Sequence, residues 1–136
     1  MTPSYWTIEQ LPGLSNQEEI QLKSHGIVTT KHLLEKGKNS LAKQSLANQL
    51  KINVKYVNKW VALADLARLP SVGCQYCGLL LHAGIISVSQ LNETPVDKLH
   101  RQILRLQVAT FHRQDLCPPI ELVQQWIKEA QSLGKK

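Results

Sequence analysis

Three lysines at four-residue spacing, Lys51, Lys55 and Lys59, are the residues of this chain best suited to chemistry, and that chemistry is ionic. Residues four apart share one side of a helix, and Lys43 extends the row across the preceding turn. Such a row attracts the phosphate backbone of DNA or RNA, each neutralised phosphate steepening the salt dependence by about one log unit. It serves equally well against carboxylates on a protein surface, and a charged helix face is often merely solvated. The cations are unevenly spread. Residues 23–59 hold eight lysines against the single Glu35, a net of +7, whereas the remaining chain has 8 basic and 9 acidic residues. The positive field therefore belongs to the first half. No arginine cluster supports bidentate reading of bases, so sequence-specific recognition is not expected.

Other candidates carry less. Cys74-x-x-Cys77 invites a metal reading, with His82, His100, His112 and Cys117 as possible partners. A structural zinc site uses four ligands, typically as two spaced pairs, and a second pair is missing, so packed thiols are the expectation and no metal site is assigned. Glu18 and Glu19 are adjacent and point apart on a helix, and neither a Ser/His/Asp nor a Cys/His set has telling spacing. No catalytic residue and no cofactor are assigned. His25 and His82 fall near helix C-termini, where a cation suits the dipole. Trp60 and Trp126 read as core anchors rather than stacking platforms, with Tyr5 and Trp6 less well placed.

The element that must position the lysines is the stretch Asn53–Pro70. Val54, Val57, Trp60, Val61, Ala64 and Ala67 recur at three- and four-residue spacing on one helical face. Asn53 can cap its start, and Pro70 cannot continue it. Val54-x-x-Val57-x-x-Trp60-Val61-x-x-Ala64 matches Ile120-x-x-Val123-x-x-Trp126-Ile127-x-x-Ala130 near the end of the chain. Its second half opens LARLPSVGCQYCGLLLHAGI, which echoes IEQLPGLSNQEEIQLKSHGI near the start. The pattern predicts a duplication joined by a shared helix, with a first unit over 5–65 and a second over 66–133 in one compact body of 136 residues.

In chain order, residues 1–5 look loose, and a short helix is expected over Trp6–Leu11, stopped by Pro12-Gly13. Asn16 then caps Gln17–His25, Gly26 closes it, and Thr29 or Thr30 caps Lys31–Lys36. Ser40 opens Leu41–Leu50, with Leu41, Leu46 and Leu50 inward. At an offset of 58 the plan recurs, and Thr94-Pro95 starts a helix to about Gln107. Trp60 to Trp126 is an offset of 66, so eight extra residues belong near 109–117. Pro118-Pro119 restarts a helix ending around Leu133. No segment alternates with a period of two, so the fold expected is all-α.

The turns Pro12-Gly13-Leu14-Ser15 and Pro70-Ser71-Val72-Gly73, each between helices and each followed by Gly-Ile, resemble the helix-hairpin-helix family. The whole chain is more similar to a narrower group, the tandem helix-hairpin-helix domains of unknown function common in cyanobacteria. Trp60-Val61-x-x-Ala64-Asp65-Leu66 and Pro119…Trp126-Ile127-x-x-Ala130-x-x-Leu133 carry that likeness. It implies two helical units sharing a central linking helix, and a Gly-apolar-Gly turn whose backbone N–H groups hold a phosphate. Both turns depart from that form. Ser15 stands at the second glycine position and Ser71 at the first, and serine is disfavoured where φ must be positive. Glu18 and Glu19 suit the helix dipole but repel a phosphate.

The hydrophobic content of 43% supports a core built from Leu, Ile, Val and Ala. No apolar run of about 18 residues exists to cross a membrane, and MTPSYWTIEQ has no secretory pattern. An odd count of three cysteines fits a reducing cytoplasm. The expectation is a non-catalytic cytoplasmic adaptor or regulator. It docks a protein partner with an acidic surface through the lysine-rich face, in a setting of nucleic-acid metabolism. The alternative is sequence-nonspecific binding of DNA or RNA backbone through the hairpins and the same lysines.

Overall fold

The computed structural model describes residues 2–111 and 117–134 and is all-α. A 3-10 turn at Ile8–Gln10 precedes eight helices among the described residues: α1 (Asn16–Ser24), α2 (Thr30–Lys36), α3 (Ser40–Leu50), α4 (Val54–Leu66), α5 (Gly73–His82), α6 (Val88–Glu93), α7 (Val96–Phe111) and α8 (Ile120–Gly134). The one β feature there is an isolated antiparallel bridge between Thr7 and Thr29.

Helix α4 starts as its sequence dictates, with the Asn53 side chain accepting from Lys55 N at 2.9 Å. It buries Val57, Trp60, Val61 and Ala64, and also Leu63 and Leu66. A helix apolar on more than one face lies inside the body rather than on it, and α4 accordingly packs against α2, α3 and α5. Near the end of the chain α8 holds a similar place, packing against α6 and α7. One cluster of buried side chains runs from Ile8 to Leu133.

Local structure recurs at the 58-residue offset. Gly26 and Gly84 both have positive φ, 79° and 95°, and the following Ile27 and Ile85 donate back to Leu22 O and Leu80 O. This is the glycine-terminated helix end in which the next apolar residue turns into the core. Thr29 and Ser87 then cap α2 and α6 by accepting from His32 N and Gln90 N.

Several boundaries differ from the sequence expectation, each for a local reason. Ser15, not Asn16, caps α1, because Glu18 three residues on completes a reciprocal capping box. Asn39, not Ser40, caps α3, accepting from Ala42 N at 2.8 Å. Leu46 and Leu50 are buried as expected, but Leu41, on the opposite side of the same helix, points outward and is 82% exposed. The segment Trp6–Leu11 is helical only over Ile8–Gln10, since Thr7 is drawn into its bridge with Thr29. The preceding residues are tied down rather than loose: Ser4 N donates to Arg68 O, and the Trp6 indole N–H donates to Ala67 O, both at 2.7 Å. Helix α7 passes Gln107 and reaches Phe111. Of the expected insertion near 109–117, residues 112–116 lie outside the described residues.

Candidate functional site

The two turns are closed from within, by different means. In the first, Ser15 Oγ accepts from Glu18 N at 3.1 Å and the Glu18 carboxylate accepts from Ser15 N at 2.8 Å. The carboxylate that would repel a phosphate has taken the donor a phosphate would use. In the second, Gly73 N donates to Leu69 O, and Glu129 of α8 accepts from both Ser71 N (3.0 Å) and Ser71 Oγ (2.5 Å). Gln125 Nε2 also donates to Glu129, and the Trp126 indole donates to Ser71 O at 3.1 Å. Tyr76 packs on the Trp126 ring, centroids 5.0 Å apart. Glu129 is only 8% exposed, and its charge is met by these donors.

The serines are not strained. Ser15 has φ −78°, and Lys51 is the one non-glycine with positive φ among the described residues. The left-handed residue is Gly13 (φ 84°) in the first turn but Gly73 (φ 52°) in the second, two positions later in the aligned pattern. A Cβ on Gly73 would lie 3.1 Å from the Trp6 ring, so this turn is covered by the N-terminal segment as well as held by α8. Pro12, Gly13, Leu14 and Ser15 form one kind of turn, and Pro70, Ser71, Val72 and Gly73 another.

The lysines divide. Lys43 and Lys59 line a groove of about 1070 Å³, together with Lys31 and Lys38 of the α2 side. Lys59 also arches over the first turn, where a Cβ on Gly13 would sit 3.5 Å from its Cε and Nζ. Among the described residues the ion pairs are Lys23 with Glu9 and Arg68 with Asp65, so the four groove lysines are matched by no carboxylate. Glu35 is the other acid at the groove beside the paired Asp65. Lys31 Nζ stands 5.7 Å from the Tyr5 ring centroid, which fixes one lip. Lys51 and Lys55 do not belong to this group. Lys51 caps the C-terminus of α3 in left-handed conformation (φ 58°), and Lys55 lies over the Tyr56 ring. The single row expected from spacing is thus replaced by a groove with a different membership. Lys31, Leu34 and Glu35, all lining it, sit at i, i+3 and i+4 of α2, and Lys38 follows just past its end at Gly37. That spacing was available in the sequence and marks the missed residues.

Among the described residues no three His, Cys, Asp or Glu side chains could hold an ion together. Burial pushes the Cys74 thiol up to about 11 and the Cys77 thiol up to about 12, the latter aided by Cys74. Cys117 is raised too by burial, and its Sγ lies 3.7 Å from His100 Nε2, a contact the spacing did not announce. His112 lies outside the described residues. A neutral buried thiol is a poor nucleophile and metal ligand. Alkylation at pH 8 should therefore leave Cys77 unmodified in the folded chain and modify all three cysteines in denaturant, as read by intact mass. Full modification without denaturant would contradict the burial. Between about pH 9 and 12 the native chain holds thiol protons that the unfolded chain has lost, so these groups lower stability as pH rises through that window.

The family model described as a domain of unknown function (DUF4332) matches residues 12–133. No curated protein and no solved structure matches the chain.

Proposed function

We propose that this chain, which belongs to the family of the domain of unknown function DUF4332, is a non-catalytic helical adaptor that receives an acidic segment of a partner protein in its lysine groove. We read its two halves as tandem helix-hairpin-helix units in which the phosphate-binding use of the turns has been given up. The observation that carries the proposal is the contrast between donors. The turn amides of Ser15 and Ser71 are already met by Glu18 and Glu129, while Lys31, Lys38, Lys43 and Lys59 have no carboxylate partner among the described residues. Free cations around a concave surface favour an anionic guest and steer its approach over roughly a Debye length, about 8–10 Å in physiological salt. A cytoplasmic setting suits the three free thiols. No helix among the described residues is long and apolar enough to cross a membrane.

The test is fluorescence anisotropy with a labelled acidic peptide and a labelled oligonucleotide against the whole chain. The peptide is expected to bind in low salt. Lys43→Glu combined with Lys59→Glu should weaken it by roughly tenfold or more, since two attractions become repulsions. Lys51→Glu with Lys55→Glu, outside the groove, should have a smaller effect. Tighter binding of the oligonucleotide, with a steep log–log salt slope, would replace the proposal by nucleic-acid backbone binding.

A further inference from the structure

The groove that holds the lysines is not polar throughout. Between the lysines its lining is Leu34, Val61, Ala62 and Leu81, and Ile86 stands at one edge 61% exposed. Val61 and Ala62 belong to α4, which meets the groove along Asn58, Val61, Ala62 and Asp65, the i, i+3, i+4 and i+7 positions of one face. Helix α2 faces it with its own stripe, Lys31, Leu34 and Glu35, and Lys38 follows in the loop beyond Gly37. Two helical stripes thus bound a channel roughly 10 Å long on the α4 side, at 1.5 Å per residue. Its volume of about 1070 Å³ reaches the upper end of small-molecule pockets, and its rim of long solvated side chains leaves it open. A strongly charged free acid would satisfy the rim and leave the lining wet.

We infer that the groove selects an amphipathic acidic segment of a partner protein, one or two large apolar side chains flanked by carboxylates, rather than acidity alone. The inference rests on the proposed function and sharpens it. The apolar side chains of the guest lie on Val61, Leu81 and Ile86, and its carboxylates reach Lys31, Lys38, Lys43 and Lys59. Charge complementarity sets orientation and on-rate, and the apolar contact holds the segment once it has arrived. A nucleic-acid backbone matches the rim but offers no aliphatic group to the lining.

Two peptides of equal charge separate these contributions. One carries leucines at i and i+4 within a run of glutamates, the other carries serines at the same positions, and a register series slides the leucines by one residue at a time. Anisotropy with the whole chain should show the best leucine peptide binding about tenfold tighter than its serine twin, the gain expected from burying part of a leucine. Ile86→Ser, at an exposed position that does not threaten the fold, should remove most of that difference and leave the serine peptide unchanged. In methyl NMR the Val61, Leu81 and Ile86 signals should shift with the leucine peptide. Equal affinity of the twins at every register overturns the inference while leaving the acidic-groove proposal standing. Failure of both peptides in low salt overturns the two together.

Discussion

Replacing Trp60 by alanine is expected to lower the unfolding free energy by about 3–5 kcal/mol, measured by urea denaturation followed in the far ultraviolet. The ring is 1% exposed and sits on the helix that α2, α3 and α5 all pack against. Removing it deletes apolar surface and leaves a cavity that helices held on several sides cannot close. Domains of this size have roughly 5–15 kcal/mol in hand, so the variant should be marginally folded at best. Leu41→Ala provides the contrast. Its side chain is 82% exposed, and the change should stay within about 0.5 kcal/mol. A Trp60→Ala loss no larger than that of Leu41→Ala would place the indole at the surface and remove α4 from the centre of the body.

That contrast also marks what could be read from the residues alone. The start of α4 follows from its Asn53 cap and its apolar stripe, whereas its end at Leu66 falls short of Pro70, and α5 begins after Val72 without a side-chain cap. The misplaced starts of α1 and α3 involve neighbours that both favour caps, Ser15-Asn16 and Asn39-Ser40. For α1 the sequence alone left both open, since Ser15-x-x-Glu18 and Asn16-x-x-Glu19 each put a carboxylate at +3, and the structure forms the box on Ser15. Leu41 is exposed for a separate reason: at 3.6 residues per turn it lies about 140° from Leu46 and about 180° from Leu50, so it does not share their buried face.

The groove was legible only in halves. Its lysines could be counted, and the α2 stripe could be seen as a helical face, but which stripes meet depends on how α2 docks on α4. Spacing within one helix cannot supply that. The row Lys51, Lys55, Lys59 failed at its first member because α3 ends in a left-handed residue at Lys51, so the following segment takes a new direction. The closure of the second turn was less legible still. Ser71 and Glu129 lie 58 residues apart, and no local preference pairs them.

Glu129→Ala is accordingly the second change of large expected effect, a loss of about 3 kcal/mol. Hydrogen bonds to a charged group contribute about 1.5–3 kcal/mol in folded proteins, and deleting one partner strands the others. Here Ser71 N, Ser71 Oγ and Gln125 Nε2 would all lose their acceptor beside a nearly enclosed site. Glu18→Ala removes a chemically similar contact, a carboxylate accepting from a turn serine's amide, but at an exposed helix start. It should cost only about 0.5–1 kcal/mol. The difference between two like contacts isolates what burial adds. Equal losses would mean that water reaches the second turn as freely as the first and that its donors are not withheld from phosphate. Glu129→Gln keeps the shape and one acceptor but presents an amide N–H toward donors, so it should recover only part of the loss. Because Glu129 does not line the lysine groove, peptide affinity of that folded variant should match the parent chain. Stability and docking would then be separable properties of one small helical body.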